Sequence, residues 1–340
     1  MFVKELLLLF AMCILPAGSS YSQGTNLSDE KKNDLKEILN QKKVTIVITD
    51  SGLGGMSVCA GIEKKLKEAK SFEEVNLIFF NALPEKGYGY NSMPSNESKA
   101  LIFNEALVSM EQKFSPDLIL IACNTLSVVY PFTRFSRESK TPVLGIVEFG
   151  VSMILSELKK NENSEVMILG TETTINSDTH KNKLIQNGVK PDKIISQSFP
   201  GLESEIQDSP ESETVKGMIE LYIGEAAQKL NHKNYPVVAA LCCTHYGFCA
   251  ETFYSSLKNI TNRKIILLNP NELMINAIIL EKNRGCFQQA NVSMSVVSRA
   301  IIDDGEKKSI GGLINSYAPL SSIALMNYEY NPELFKFQKE

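Results

Sequence analysis

Two cysteines close two apolar runs, Leu118-Ile119-Leu120-Ile121-Ala122-Cys123-Asn124-Thr125 and Val237-Val238-Ala239-Ala240-Leu241-Cys242-Cys243-Thr244-His245, and each is followed by small hydrogen-bonding residues. A thiol at the carboxyl end of a buried strand, where the chain turns toward a helix, stands where open α/β sheets place their chemistry. The repetition points to two thiols facing one substrate. A free Cys ionises near pH ~8.5, and a helix N-terminus or a nearby imidazolium lowers that value, so both thiols are expected to gain thiolate character. Cys242 and Cys243 are neighbours on a strand and point to opposite faces, so Cys243, beside Thr244 and His245, is the one assigned to a cleft. Cys59, Cys249 and Cys286 lack polar motifs and read as buried, inert thiols.

A third segment, Asp50-Ser51-Gly52-Leu53-Gly54-Gly55, follows an apolar strand and precedes a helical pattern. A glycine-rich turn there leaves backbone N–H groups and the positive end of the helix dipole free for an anion. It has neither the Lys of a phosphate-binding loop nor the dinucleotide fingerprint. A carboxylate or amino acid fits better, with Asp50 receiving an ammonium or relaying a proton while Ser51 and the amides hold a carboxylate. The alternative is that the glycines serve only helix–strand packing.

These residues need a scaffold, and the remaining pattern supplies one. Apolar runs at 44–49, 75–80, 117–122, 142–147, 165–169, 193–196, 237–241 and 264–268 alternate with helical spacing at 95–113, 151–160, 178–187 and 213–230. Continuous rather than alternating apolar strands, interleaved with helices, predict an α/β fold of mostly parallel sheets covered on both faces. The strand starting at Thr45 and the one starting at Glu165 both end in small polar residues, and a cysteine strand follows each. This echo predicts two similar lobes with the site in the cleft between them.

The chain of 340 residues, 43% hydrophobic, is long enough for two domains, and its net charge of -4 comes from interspersed charges. No basic footprint for nucleic acid is present. The charged run from Glu63 to Glu68 reads as the solvated side of a helix. Residues 1–22 match an export signal, with Lys4 before an apolar stretch and small residues after Pro16, too short to span a bilayer. Residues 23–43 form a polar lead-in in which Ser28 is placed to cap a short helix, and the ordered domain is expected to begin near Lys43.

The motifs Asp50-Ser51-Gly52-Leu53-Gly54-Gly55, Gly87-Tyr88-Gly89, Cys123-Asn124-Thr125, Gly145-Ile146-Val147-Glu148 and Cys243-Thr244-His245-Tyr246 occur in an order and spacing that resembles glutamate racemase, within the aspartate/glutamate racemase superfamily. The resemblance runs from about Val44 to Tyr246. It implies a cofactor-independent amino-acid racemase, most simply of glutamate, with no metal. One cysteine takes the α-proton from one face and the other returns a proton to the opposite face. It further implies Cys123, Cys243, Asp50 and His245 as catalytic residues, with Asp50 assisting Cys123 and His245 assisting Cys243. Asp50, Ser51, Tyr88, Gly89, Asn124, Thr125, Thr244 and His245 are the implied substrate contacts. By the same resemblance the tail from Asn269 returns to the first lobe, giving 44–145 plus 269–335 as a discontinuous first lobe and 146–268 as the second.

Departures from the family pattern fall at Asn81 and Ala82, at Gly87 where a Pro is usual, at Gly247 where a Pro commonly follows, and at Gln207 where an assisting glutamate is usual, with Asp208 beside it. An export signal is also unexpected in a racemase that feeds wall-precursor (peptidoglycan) synthesis in the cytoplasm. In an oxidising compartment, exposed low-pKa thiols oxidise readily, so mild peroxide is expected to abolish activity and substrate to protect it. Two other readings stay open: an aspartate or broader-specificity racemase of the same superfamily, and an exported protein that binds an amino acid without converting it. The partner expected throughout is a small amino acid, with neither nucleic acid nor stable membrane insertion after signal cleavage; a homodimer is compatible with the sequence.

Overall fold

The computed structural model describes residues 29–338. The expected export signal and Ser28 lie outside the described residues. Among the described residues ten strands form two sheets, and every strand pair is parallel. The first sheet contains β1 (Lys43–Asp50), β2 (Glu74–Asn81), β3 (Leu118–Ile121), β4 (Val143–Gly145), β9 (Asn291–Ser298) and β10 (Glu329–Tyr330), in the order β10-β9-β2-β1-β3-β4. The second contains β5 (Glu165–Gly170), β6 (Ile194–Ser198), β7 (Val237–Cys242) and β8 (Ile265–Leu268), in the order β6-β5-β7-β8. The orders β2-β1-β3-β4 and β6-β5-β7-β8 are the same arrangement made twice, which accounts for the echo between the strands starting at Thr45 and Glu165.

Strands β3, β5 and β7 are buried along their whole length. Both their faces are covered, so they need apolar residues at successive positions. Side chains alternate between faces along each strand. Ile46 and Ile48 of β1 therefore enter one core with Leu118 and Leu120, while Val47 enters another with Ile119 and Ile121. That second core continues into the other lobe through Val166, Ile168, Val238, Ala240 and Cys242. One hydrophobic layer thus spans both lobes and fixes their spacing.

Register places the functional ends. Thr49 stands beside Ile121, so Asp50 and the residues after β3 leave adjacent carboxyl ends of the first sheet. Gly170 stands beside Cys242, so Thr171 and Cys243 leave adjacent ends of the second. In each sheet the chain reverses its direction of winding between these two strands, the position where open α/β sheets form a crevice.

Four expectations are corrected. Ordered structure begins before Lys43, because Leu35, Ile38 and Leu39, in and just after the helix Asp29–Ile38, are buried in the first core. The strand expected at 142–147 ends at Gly145, which caps the helix Ile146–Lys160, so that helix also starts earlier than its predicted 151. Glu63 is not solvated: it is fully buried and accepts hydrogen bonds from Leu320 N (3.1 Å), Ser321 N (2.7 Å) and Lys67 Nζ (2.6 Å). A carboxylate there satisfies N–H groups at the start of the helix Pro319–Met326. Finally, Cys59 and Cys249 are buried as expected, but Cys286 is exposed.

Candidate active site

A cavity of about 370 Å³ opens between the carboxyl ends of the two sheets. Every residue implied by the sequence resemblance lines it: Asp50, Ser51, Tyr88, Gly89, Cys123, Asn124, Thr125, Cys243, Thr244 and His245. Cys123 and Cys243 come from different lobes, and neither is in a disulfide. Cys242 also borders the cavity, but it is completely buried and belongs to the shared core, whereas Cys243 keeps some exposure.

Around Cys123, the Sγ caps the helix Asn124–Val129 by accepting from Leu126 N at 3.4 Å, and it lies 3.3 Å from Ser51 Oγ. Asp50, one residue earlier, is held by four groups, one of them the Gly55 backbone. It accepts from Ser51 N at 2.6 Å and from the Thr244 hydroxyl at 2.7 Å, and it also contacts the Cys123 thiol. The Thr244 bond crosses from one lobe to the other. Burial outweighs these donors and pushes the Asp50 carboxyl up to about 6.

Around Cys243, the Sγ lies 3.8 Å from His245 Nδ1. His245 Nε2 meets Gln207 Oε1 at 3.1 Å. Burial pushes His245 down to about 4, so its ring is neutral at physiological pH. This overturns the expectation of low-pKa thiols. Burial drives both cysteines well above the usual thiol range, helped by Asp50 at Cys123 and by Glu203 and Asp50 at Cys243. The N–H contacts at the helix starts are outweighed by the loss of water. The balance favours the thiol form of both sulfurs at neutral pH.

The glycine-rich turn has the packing role rather than strain relief, since Gly52, Gly54 and Gly55 are absent from the positive-φ glycines. A Cβ on Gly54 would lie 2.5 Å from His245 Nδ1, 2.6 Å from Thr244 Oγ and 2.8 Å from His245 N. A Cβ on Gly55 would lie 2.9 Å from the Asp50 Cβ. The missing side chains let the first lobe's turn touch the second lobe's Thr244-His245 backbone. Gly87 is different: its φ of +79° closes a turn in which Tyr88 N bonds Glu85 O at 3.0 Å, and a proline could not adopt that angle.

Several lining residues carried no local signal in the sequence: Lys86, Asn91, Thr171, Glu203 and Glu306. Lys86 pairs with Asp303 and, at 3.2 Å, with Glu306. Glu203 accepts from Asn91 Nδ2 at 2.8 Å, its second oxygen is buried without a partner, and burial pushes its carboxyl up. Asn124 is buried with both its amide nitrogen and its oxygen unpartnered. A buried amide with no protein partner is costly unless a ligand completes it. Among the described residues no cluster of three or more His, Cys, Asp or Glu side chains could hold a metal ion. Nor is any described helix long and apolar enough to cross a membrane.

Known proteins share this architecture. The chain is 28% identical over 201 residues to the glutamate racemase of Aquifex pyrophilus, covering 59% of this chain and 70% of that protein. Against the glutamate racemase of Campylobacter jejuni it is 28% identical over 205 residues, covering 59% and 72%. In structure it is similar to the glutamate racemase isoform RacE1 of Bacillus anthracis, with a TM-score of 0.60 at 17% identity over 86% of this chain and 97% of that one. It is also similar to the glutamate racemase of Francisella tularensis solved with D-glutamate, with a TM-score of 0.58 at 18% identity over 82% and 94%. The Asp/Glu/Hydantoin racemase profile matches residues 53–257, which spans more than half of the sequence and takes in both cysteines, and the chain belongs to that family.

Proposed function

We propose that this protein is a cofactor-independent amino-acid racemase that interconverts L- and D-glutamate by moving a proton between the two faces of Cα. The observation that carries this reading is the pair of unbonded thiols, Cys123 and Cys243, brought from two lobes to one cavity, each with its own acid/base neighbour. A 1,1-proton transfer needs one base and one acid on opposite faces of the same carbon, exchanging roles with the handedness of the substrate.

Burial favours both sulfurs as thiols, so the thiolate must form as substrate enters. A substrate ammonium brings positive charge into a desolvated cavity, where it favours Asp50 and a neighbouring sulfur in their ionised forms. For attack from the first lobe the proton leaves Cys123 toward Asp50; from the second it leaves Cys243 toward His245 Nδ1, where thiolate and imidazolium form an ion pair whose mutual attraction must offset the burial that keeps each neutral alone. The thiolate then removes the α-proton, and the opposite thiol protonates the planar carbanion. Turnover leaves that second sulfur as a thiolate and the displaced proton on the first cysteine's neighbour; as product leaves, that neighbour gives its proton to solvent and the thiolate takes one up, which restores both thiols. Asn124 supplies the unsatisfied amide for the α-carboxylate, and Ser51, Tyr88, Gly89, Thr125 and Thr244 surround the rest.

A second reading, broader specificity within the same superfamily, is favoured by Glu203. Its unpartnered oxygen beside the cavity suits a neutral or cationic side chain as well as a carboxylic acid. Export of the mature chain belongs to the proposal too, and N-terminal sequencing of the native protein tests it.

The deciding experiment incubates D- and L-glutamate, aspartate and glutamine with enzyme in heavy water, followed by chiral analysis, for the wild type, Cys123→Ser and Cys243→Ser. Glutamate should racemise with deuterium at Cα, and each serine variant should lose at least ~100-fold. Full racemisation by either variant would refute the two-thiol assignment. Turnover confined to another amino acid selects the second reading, and binding without deuterium uptake selects a capture protein.

A further inference from the structure

The position where the family pattern calls for a glutamate carries Gln207, and this amide is clamped at both ends. Its Oε1 accepts from Leu53 N at 2.7 Å, and its Nε2 donates to Glu306 Oε1 at 2.7 Å. A backbone N–H requires an acceptor and a carboxylate requires a donor, so the two contacts agree on one orientation of the amide. The same Oε1 lies 3.1 Å from His245 Nε2. A carbonyl oxygen has no proton to give, so the ring must donate from Nε2. Its Nδ1 is then left bare, facing the Cys243 sulfur at 3.8 Å.

Glu306 is itself fixed. Its Oε2 accepts from Asp303 N at 2.8 Å and from Lys86 Nζ at 3.2 Å, and its own N–H donates back to Asp303 Oδ1 at 2.9 Å, closing a capping box at the start of the helix Asp304–Asn315. Glu306 lies beyond the matched residues 53–257. The chain therefore runs from Lys86, in the loop that carries Tyr88 and Gly89, through Glu306 and Gln207 to His245.

We infer that Gln207 and Glu306 are positioning residues that lock His245 in its Nε2–H tautomer, so that Nδ1 is a ready acceptor for the Cys243 proton. A carboxylate placed directly on the ring would also favour the imidazolium. An amide backed by a carboxylate fixes the tautomer without putting that charge on the ring. The C-terminal segment thereby completes the proton path of the second lobe. This inference rests on the role of Cys243 proposed above, yet the tautomer can be measured whether or not the protein turns over glutamate.

The test is nitrogen NMR of the His245 ring in the full chain, run beside kcat/KM with D- and L-glutamate. In the wild type, Nε2 should be the protonated nitrogen. Gln207→Leu removes the acceptor and should give mixed tautomers and a fall in kcat/KM of about tenfold or more; Glu306→Ala leaves Leu53 N as the single clamp on the amide and should shift the ring signals and kcat/KM in the same direction by less. Because the equilibrium constant of a racemisation is one, kcat/KM must fall equally in both directions. The substrate deuterium isotope effect should change chiefly in the direction in which Cys243 removes the proton. Glu306→Gln, whose amide oxygen can still accept from Gln207, should restore the wild-type ring signals. A ring that stays Nε2–H in folded Glu306→Ala and Gln207→Leu, or a wild-type ring protonated on Nδ1, would overturn the inference. Failure of the wild type to racemise glutamate while the ring signals behave as described would overturn the substrate instead.

Discussion

Gly54→Ala tests whether contact between the lobes sets the catalytic geometry. The added Cβ would sit 2.8 Å from the backbone nitrogen of His245, roughly 0.6 Å inside ordinary contact, and closer still to His245 Nδ1 and Thr244 Oγ. Neither side chain is free to swing away: Thr244 is bonded to Asp50 at 2.7 Å and His245 to Gln207 at 3.1 Å. The backbone must therefore retreat, carrying Thr244 and His245 away from Asp50 and Ser51. Misplacement of reacting groups by about 1 Å costs ~100-fold, so a shift of half that should lower kcat about tenfold. Overpacking of this kind costs about 1–3 kcal/mol, which in a chain of 340 residues lowers Tm by about 1.5–4 °C. Gly217→Ala is the control, since nothing lies within 4 Å of its Cβ on the helix Glu213–Ala227; it should stabilise by about 0.5–1 kcal/mol and leave turnover alone. Chiral chromatography of the products and a thermal melt read both effects. Gly54→Ala with turnover within about twofold of wild type would refute the reasoning, even with a lowered Tm, because the contact would then not govern the site.

Two other predictions follow from the electrostatics and from burial. Asp50, raised to about 6 by burial, holds a proton in the native state at pH values where the unfolded chain has lost it. Its contribution is thus fully present below pH ~4 and lost as pH rises through about 6, a penalty of about 3 kcal/mol at neutral pH. Asp50→Asn should flatten the stability profile between these values, gain up to about that amount at pH 7, and lose at least ~100-fold in turnover; denaturant titrations in which variant and wild type run parallel from pH 4 to 7 would contradict this. Thiol-specific labelling with peptide mapping should find Cys286 modified first, because Cys123 and Cys243 are buried and held as thiols. Activity should therefore outlast Cys286 under mild peroxide, contrary to the expectation from sequence, and labelling of Cys123 or Cys243 at the rate of Cys286 would remove the basis for that.

What the sequence discloses divides by the range of the interaction. Buried parallel strands are continuous apolar runs, so eight of the strands could be read directly, and the two cysteines that end β3 and β7 were legible with them. The strand Asn291–Ser298 escaped because only its last three residues are fully buried and its apolar residues alternate with serines. The ten residues implied by motif order all line the cavity, but the ionisation of the thiols does not follow from local sequence. Proximity to a helix start is local and visible; the removal of water by two lobes is neither. The residues that tune Cys243 show the same division. Gln207 stands 154 positions from Leu53, and Glu306 stands 99 from Gln207, so no spacing rule joins them. Asp303 and Glu306 do form a sequence-visible capping box, which announces a helix and conceals that the same carboxylate orients an amide at the active site. The substitution at Gln207 looks like the loss of a catalytic acid when only its own position is considered. With Glu306 behind it, a carboxylate stands one group further out, 2.7 Å from the amide nitrogen, while the amide oxygen meets His245 Nε2 at 3.1 Å and leaves Nδ1 facing the sulfur of Cys243.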